Sequence, residues 1–395
     1  MTSRTAASLF TVLALALLHA GCQPQVYLMP SPVGLEKGGE LFYLTERDEE
    51  ANLLHTFYAT NREPAPPRGQ VDRYTTRPAD TLRFGMVVHR VGGPDVTWDE
   101  LYEASFATQR GGRLRLRTER VTEMTAVPLD VDPSDTPLRA DEFFDRVNRL
   151  LQKTFDKDIL IYVHGANCNI HRATAQGAQF YHFTGHNSIV LNFAWPSAES
   201  ILKYRTDVRH ARESVPAFAR LIELLAARTD TRRINILAYS AGAQVVAPGL
   251  AYFEDLYPGT PKADLKERLR IGEVYFAAPD TAFEPFVGQY LRFRDIVGRT
   301  TVNLNTHDAI LGMSAIQNGV SRLGSPDASD LTEEQAVIFR REMNGARLNL
   351  LDVGDSEPLD LGVAHNAWFG HPWVSMDTLM LMLFNLDPLQ RGLQT

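Results

Sequence analysis

Cysteine is nearly absent from this chain: 395 residues hold two, Cys22 and Cys168. A disulfide scaffold is thereby excluded, and the fold must be held by its core. Long apolar runs are missing beyond the first twenty residues, so no internal stretch is expected to span a bilayer as a helix. Neither sign of charge dominates. Forty basic against 48 acidic side chains give a net charge of −8, which argues against nucleic acid as a partner. No repeat stands out, which removes solenoids and propellers from consideration. What remains is an ordinary globular composition, 44% apolar and 22% charged, in a chain long enough to bury a large core.

The first residues read as an address rather than as part of the fold. Arg4 precedes an apolar run from Leu9 to Ala20, and small residues follow, the layout of a secretory signal. The ending Ala20-Gly21-Cys22 resembles a bacterial lipobox, with His19 departing from the usual Leu. That resemblance implies cleavage before Cys22, lipidation of that cysteine, and a place in the bacterial cell envelope. Gln23 lacks the aspartate of an inner-membrane retention signal, so the outer membrane facing the periplasm is the expected site. Cys168 would then have no partner for a disulfide. Residues 22–53, Pro- and Gly-rich at their start, are expected to be a tether.

Residues 54–139 read as a strand-rich extension packed on the main domain, with strands at Leu54–Asn61, Leu82–Val91 and Arg113–Val127. A polar, Pro-rich loop is expected over Arg62–Pro78, and a helical patch at Trp98–Tyr102. From about residue 140 helical and apolar segments alternate. Amphipathic spacing over Asp141–Phe155 leads into short apolar runs at Ile159–Val163, Ser188–Phe193, Ile234–Tyr239, Val274–Ala277, Thr301–Asn305 and Leu348–Val353. Strands alternating with helices predict an α/β fold: a mainly parallel sheet with helices on both faces. The polar insert 325–346, with a capping-box start at Thr332 and Gln335, reads as a surface helix or a lid.

The chemistry centres on Ile234-Asn-Ile-Leu-Ala-Tyr-Ser-Ala-Gly242. An apolar strand running into small residues around Ser240, and then into a helix, is the setting of a nucleophile elbow. Ala238 and Gly242 supply the small neighbours that a sharp turn requires. A serine hydroxyl is a weak nucleophile, so a base and an acid are needed in the chain order Ser, acid, His. Asp308 follows a late strand and His365 follows the last one. Asp280, in Ala277-Ala-Pro-Asp280, is an alternative acid or a helix cap, and His371 an alternative histidine. One oxyanion donor is expected from the N–H of Ala241. The other should come from Tyr162-Val-His-Gly-Ala-Asn167, where Gly165, Ala166 and Asn167 are candidates and His164 reads as a structural loop histidine. Cys168-x-x-His171 with His182 and His186 has some ligand-like spacing, but no second pair of ligands completes a site, so neither a metal nor a cofactor is expected. The aromatic residues Trp195, Trp368, Phe369 and Trp373 suit an acyl substrate or plain packing.

These residues resemble an uncharacterised family of bacterial α/β-hydrolases in the esterase/lipase superfamily. The likeness is carried by Phe57-Tyr-Ala-Thr-Asn-Arg62, Asp158 to Asn167, Phe193-Ala-Trp-Pro-Ser197, the elbow, Ala277 to Asp280, and His365 near Trp368-Phe369. Tyr239 stands where that family usually has His, and Ala241 where Met is common. The resemblance implies a hydrolase fold and a Ser240–Asp308–His365 triad that cleaves a small-molecule or lipid ester, amides being open to the same chemistry. The alternative is a non-catalytic envelope lipoprotein of the same fold that binds a lipid or protein partner through a blocked site.

Overall fold

The computed structural model describes residues 25–35, 42, 45, 50–69, 71–107, 113–132, 138–305, 308–327, 331–344, 347–353 and 365–392. The signal segment and Cys22 lie outside the described residues. In chain order the strands are β1 (Leu53–Arg68), β2 (Val71–Val91), β3 (Leu116–Pro128), β4 (Ile159–Val163), β5 (Ile189–Phe193), β6 (Ile234–Tyr239), β7 (Ile271–Ala277), β8 (Val297–Leu304) and β9 (Leu348–Asp352). The helices of eight residues or more begin with α1 (Trp98–Ser105), α2 (Leu138–Leu151), α3 (Ile170–His182), α4 (Tyr204–Glu213), α5 (Val215–Arg228) and α6 (Ala243–Ala251). They continue with α7 (Lys262–Leu269), α8 (Phe283–Phe293), α9 (Ala309–Asn318), α10 (Glu333–Asn344) and α11 (Pro372–Phe384).

Among the described residues the strands form one nine-stranded sheet in the order β3-β2-β1-β5-β4-β6-β7-β8-β9. From β1 through β9 neighbouring strands are parallel, whereas β2 is antiparallel to both β1 and β3. The central parallel strands are buried because both faces are covered, and their few polar side chains, such as Asn192, Asn235 and Glu273, are hydrogen-bonded. Along β4, Ile159, Ile161 and Val163 enter one core, shared with α2, α5, α6 and α8. Leu160 and Tyr162 enter the other, beneath α1, α3 and α11. The α/β architecture read from the alternating pattern is therefore the one observed.

Three expectations need correction. Residues 62–78 are not a loop: β1 continues to Arg68 and β2 starts at Val71, so this stretch forms the arms of a long hairpin. Its prolines are tolerated because the pairing shifts register between Thr60 and Arg62, between Arg62 and Pro64, and between Ala65 and Arg68. Residues 54–139 are not a layer laid on the sheet but its continuation, since Phe57–Ala59 of β1 pair with Leu191–Phe193 of β5. The segment from Gln25 to Leu35 is no free tether either. Leu28 and Met29 are buried, Leu28 N–H donates to Leu114 O at 2.8 Å, and Val33 N–H to Pro372 O at 3.1 Å. Its four consecutive residues Val26-Tyr27-Leu28-Met29 outweigh the flanking prolines.

In the 325–346 insert, the box between Thr332 and Gln335 forms, and α10 follows. That helix is seated on α8, with Phe339 against Phe283 and Glu342 accepting from Arg294 at 2.6 Å. No helix among the described residues is long and apolar enough to cross a membrane.

Candidate active site

The centre of the sheet presents its strand ends at one place. β6 ends at Tyr239, and Ser240 takes a left-handed backbone, φ 51°, before a single 3-10 turn leads into α6. That conformation is disfavoured for a residue with a side chain and persists only where the surroundings impose it. Here the end of β4 imposes it: a Cβ on Gly242 would lie 2.6 Å from Val163 O and 2.9 Å from His164 O. Only glycine lets the turn pass so close to that strand. Ser240 is consequently lifted off the strand end, 7% exposed.

His365 and Asp308 meet this hydroxyl. His365 Nε2 lies 2.9 Å from Ser240 Oγ, and its Nδ1 lies 2.7 Å from Asp308 Oδ2. Asp308 is also the N-cap of α9, its Oδ1 accepting from the N–H groups of Ile310 at 2.9 Å and Leu311 at 3.1 Å. One carboxylate oxygen is thus fixed by a helix and the other is left to orient the imidazole. Tyr239 supports the histidine from beneath. Its hydroxyl donates to Asn366 Oδ1 at 2.5 Å and its ring lies 5.5 Å from that of His365. The residue that departs from the resembled pattern therefore braces the histidine segment. His371, the alternative, instead occupies the N-cap position of α11.

The loop after β4 faces the same hydroxyl. A Cβ on Gly165 would lie 2.9 Å from Ser240 Cβ and 3.4 Å from its Oγ, so the Gly165 backbone packs directly on the serine. Asn167 N–H is already given to Asp207 Oδ2 at 3.0 Å, which removes it from the oxyanion candidates. The N–H groups of Gly165 and Ala166 make no hydrogen bond within the described residues. Ala241 follows the serine at the start of the turn that leads into α6, where unpaired N–H groups are expected.

Two residues that the sequence left unassigned hold this loop. Arg62, fully buried where the β1–β2 pairing shifts register, gives Nη2 to Cys168 O at 2.7 Å and Nη1 to Glu199 at 2.9 Å. Asp207 of α4 accepts from Ser197 Oγ at 3.2 Å and from Ala198 N–H as well as from Asn167. His164 is buried, stacked on Trp195 at 5.0 Å, and burial lowers it to about 3, so it is neutral and structural. Cys168 is buried too, its thiol pushed up to about 11. Neither Arg62 nor Asp207 left a local signal: Thr60-Asn61-Arg62 reads as a polar strand end, and the partners of both residues are distant in sequence.

Asp280 stands beside the serine but serves another purpose. Its N–H donates to Ser240 O at 3.1 Å. Its carboxylate accepts from Arg322 Nε at 2.6 Å, Ser314 Oγ at 2.7 Å and the Tyr204 hydroxyl at 2.6 Å. It does not cap α8, whose N-cap position is Ala282. The alternative acid is thus a knot joining the elbow to α4 and α9, and the imidazole carboxylate is Asp308. His182 pairs with His186 at 3.1 Å and with Ser105 Oγ at 2.7 Å, and among the described residues no group of three acidic, His or Cys side chains is arranged to hold a metal. Trp195 and Trp368 are core; Trp373 is 68% exposed.

Comparison with known proteins agrees with this geometry. A stretch of 150 residues is 28% identical to an uncharacterized protein, alr1448, of Nostoc sp. (strain PCC 7120), covering 31% of this chain and 39% of that protein. The chain thus spans about two fifths of the length of the curated relative it matches. Residues 139–380 match the family described as "Alpha/beta hydrolase of unknown function (DUF900)". With its parallel sheet, its elbow and more than half its length inside that match, the chain belongs to this family of α/β hydrolases.

Proposed function

We propose that this α/β hydrolase is a serine hydrolase that cleaves a carboxylic ester through an acyl-enzyme on Ser240. The observation that carries the reading is the continuous line Ser240 Oγ, His365, Asp308, at 2.9 and 2.7 Å. His365 Nε2 takes the serine proton as Oγ attacks the ester carbonyl carbon, and Asp308 stabilises the imidazolium that forms. The carbonyl oxygen becomes an oxyanion beside the N–H of Ala241 and those of Gly165 and Ala166. Collapse expels the alcohol, which takes the proton from His365. Water then enters, gives a proton to the same nitrogen as its oxygen attacks the acyl carbon, and the acid leaves as Ser240 Oγ takes that proton back from His365. Amide cleavage passes through the same kind of intermediate, so the leaving group is a matter for substrate comparison.

The test is labelling of the full chain with a fluorophosphonate probe beside Ser240→Ala. Intact mass should rise by one probe in the wild type and stay unchanged in the variant. A folded wild type that takes no label refutes the acyl-enzyme reading and favours a binding role for the same cleft.

A further inference from the structure

The strand that carries the elbow has β4 on one side and β7 on the other. The chain leaving β7 turns sharply, with Ala278 left-handed at φ 43° before Pro279, and brings the Asp280 N–H to Ser240 O at 3.1 Å. In a planar trans peptide the carbonyl and the following N–H point in opposite directions. No peptide bond among the described residues is cis. Aiming Ser240 O at the β7 side therefore aims the Ala241 N–H at the β4 side, where the Gly165 backbone packs on the serine. The hydrogen bond from Asp280 thus sets the direction of one oxyanion donor without touching the reacting atoms.

Asp280 is gripped at both its backbone and its side chain. Its carbonyl oxygen accepts from Gln244 Nε2 at 2.7 Å and from Arg322 Nη2 at 2.8 Å. Its Oδ2 accepts from the Tyr204 hydroxyl at 2.6 Å, and Gln244 Nε2 donates to that same hydroxyl at 3.1 Å. The other donor loop is gripped from the same helix. Asp207 Oδ2 accepts the Asn167 N–H at 3.0 Å and holds that residue at a left-handed φ of 51°, directly after Gly165 and Ala166. Tyr204 and Asp207 stand three residues apart in α4, so they leave it on one face. That helix packs on the elbow turn and on α6. Among the described residues neither side chain bonds Ser240 Oγ or the His365 ring, so neither carries the proton.

We infer that Tyr204 and Asp207 are positioning residues for the oxyanion hole, each directing one half of it. Tyr204 acts through Asp280 on the Ser240–Ala241 peptide, and Asp207 acts through Asn167 on the Gly165–Ala166 backbone. This rests on the acyl-enzyme reading of Ser240 and deepens it. Donors held at fixed points stabilise a developing oxyanion without reorganising, and small displacements forfeit much of that effect. A hole shaped for oxygen also discriminates against sulfur, which is larger and accepts hydrogen bonds weakly.

The test compares second-order rates of labelling of the full chain, read as intact mass, for a fluorophosphonate and for its analogue with sulfur in place of the P=O oxygen. In both, Ser240 Oγ attacks phosphorus, fluoride leaves and the serine proton goes to His365, so only the atom placed in the hole differs. The intrinsic difference between the probes cancels when the ratio of rates in a variant is divided by that in the wild type. The preference for oxygen should fall about tenfold in Tyr204→Phe and about tenfold in Asp207→Asn, less than the about 10²–10³-fold cost of deleting a donor outright. Asp308→Asn should slow both probes alike and keep the preference. A folded, labelled Tyr204→Phe with the wild-type preference overturns this inference and leaves the acyl-enzyme reading intact. A wild type that takes neither label ends both. Tyr204 is half-buried and loses only a hydroxyl, so that variant keeps the test valid if Asp207→Asn fails to fold.

Discussion

Replacing Asp308 with Asn separates orientation from structure at the site, because its two oxygens have different duties. Oδ1 caps α9 by accepting two backbone N–H groups, and Oδ2 accepts from His365. Asparagine keeps one oxygen, and the cap needs it: turning the amide would aim its NH2 at two N–H donors. The amide nitrogen must therefore face His365 Nδ1. To avoid donor meeting donor, the imidazole gives up its Nδ1 proton and carries it on Nε2, where it can no longer accept from Ser240. A serine hydrolase with the wrong tautomer loses about 10³–10⁴-fold in kcat, or about 4–5.5 kcal/mol of transition-state stabilisation. Asn caps about as well as Asp, so stability should change by no more than about 1 kcal/mol. Turnover of a p-nitrophenyl ester, with urea unfolding of the same samples, reads both quantities. A variant that folds normally and keeps more than a tenth of wild-type turnover refutes the assignment of Asp308.

The reverse pattern is expected at Asp280. Asp280→Asn leaves the Arg322 guanidinium, 5% exposed, without its counter-charge, which costs about 3–5 kcal/mol of folding stability. A stable variant with turnover as low as that of Asp308→Asn would make Asp280 the acid after all. The chain should also be acid-labile. Burial lowers His89 and His164 to about 3 and His186 to about 4, so they stay neutral in the folded state and charge below about 6.5 in the unfolded one. Their stabilisation is complete above that pH and is lost progressively as pH falls through about 4 for His186 and about 3 for His89 and His164. Asp156, raised by burial to about 6, opposes them with about one proton. From these four groups alone the unfolded state binds about two more protons near pH 5.5, which predicts a loss of about 2–3 kcal/mol between pH 6 and 5, and buried His182 adds to it. A urea midpoint that does not move between pH 7 and pH 5 would contradict this.

The order Ser240, Asp308, His365 and the strands that carry them were legible because each rests on a local pattern. A buried strand is an apolar run, the elbow is five residues long, and the acid and histidine follow strand ends. The choice between Asp308 and Asp280 was not legible. Both follow strands, and only the cap on Ile310 and Leu311 and the charge of Arg322 tell them apart. Arg62 and Asp207 were invisible for a related reason: their partners lie 106 and 40 residues away, and such polar contacts leave no periodicity. The Pro-rich arms of the first hairpin were misread because composition reports average preference, while register shifts make room for individual prolines. The anchored segment Gln25–Leu35 was misread in the same way, its four anchoring residues diluted by proline and glycine around them.

The seam between β1 and β5 has a consequence for how the molecule comes into being. Asn192 Nδ2 donates to Phe57 O across 135 residues of chain. At about 5–20 residues per second of synthesis, β1 leaves the ribosome on the order of ten seconds before its neighbour exists. Until then the hairpin offers a bare strand edge to any passing chain, a standing invitation to aggregate. The loop facing Ser240 waits as well, since Arg62 cannot grip the Cys168 carbonyl until the seam closes. Activity should therefore arrive late and all at once, as the last reward of a slow, long-range assembly.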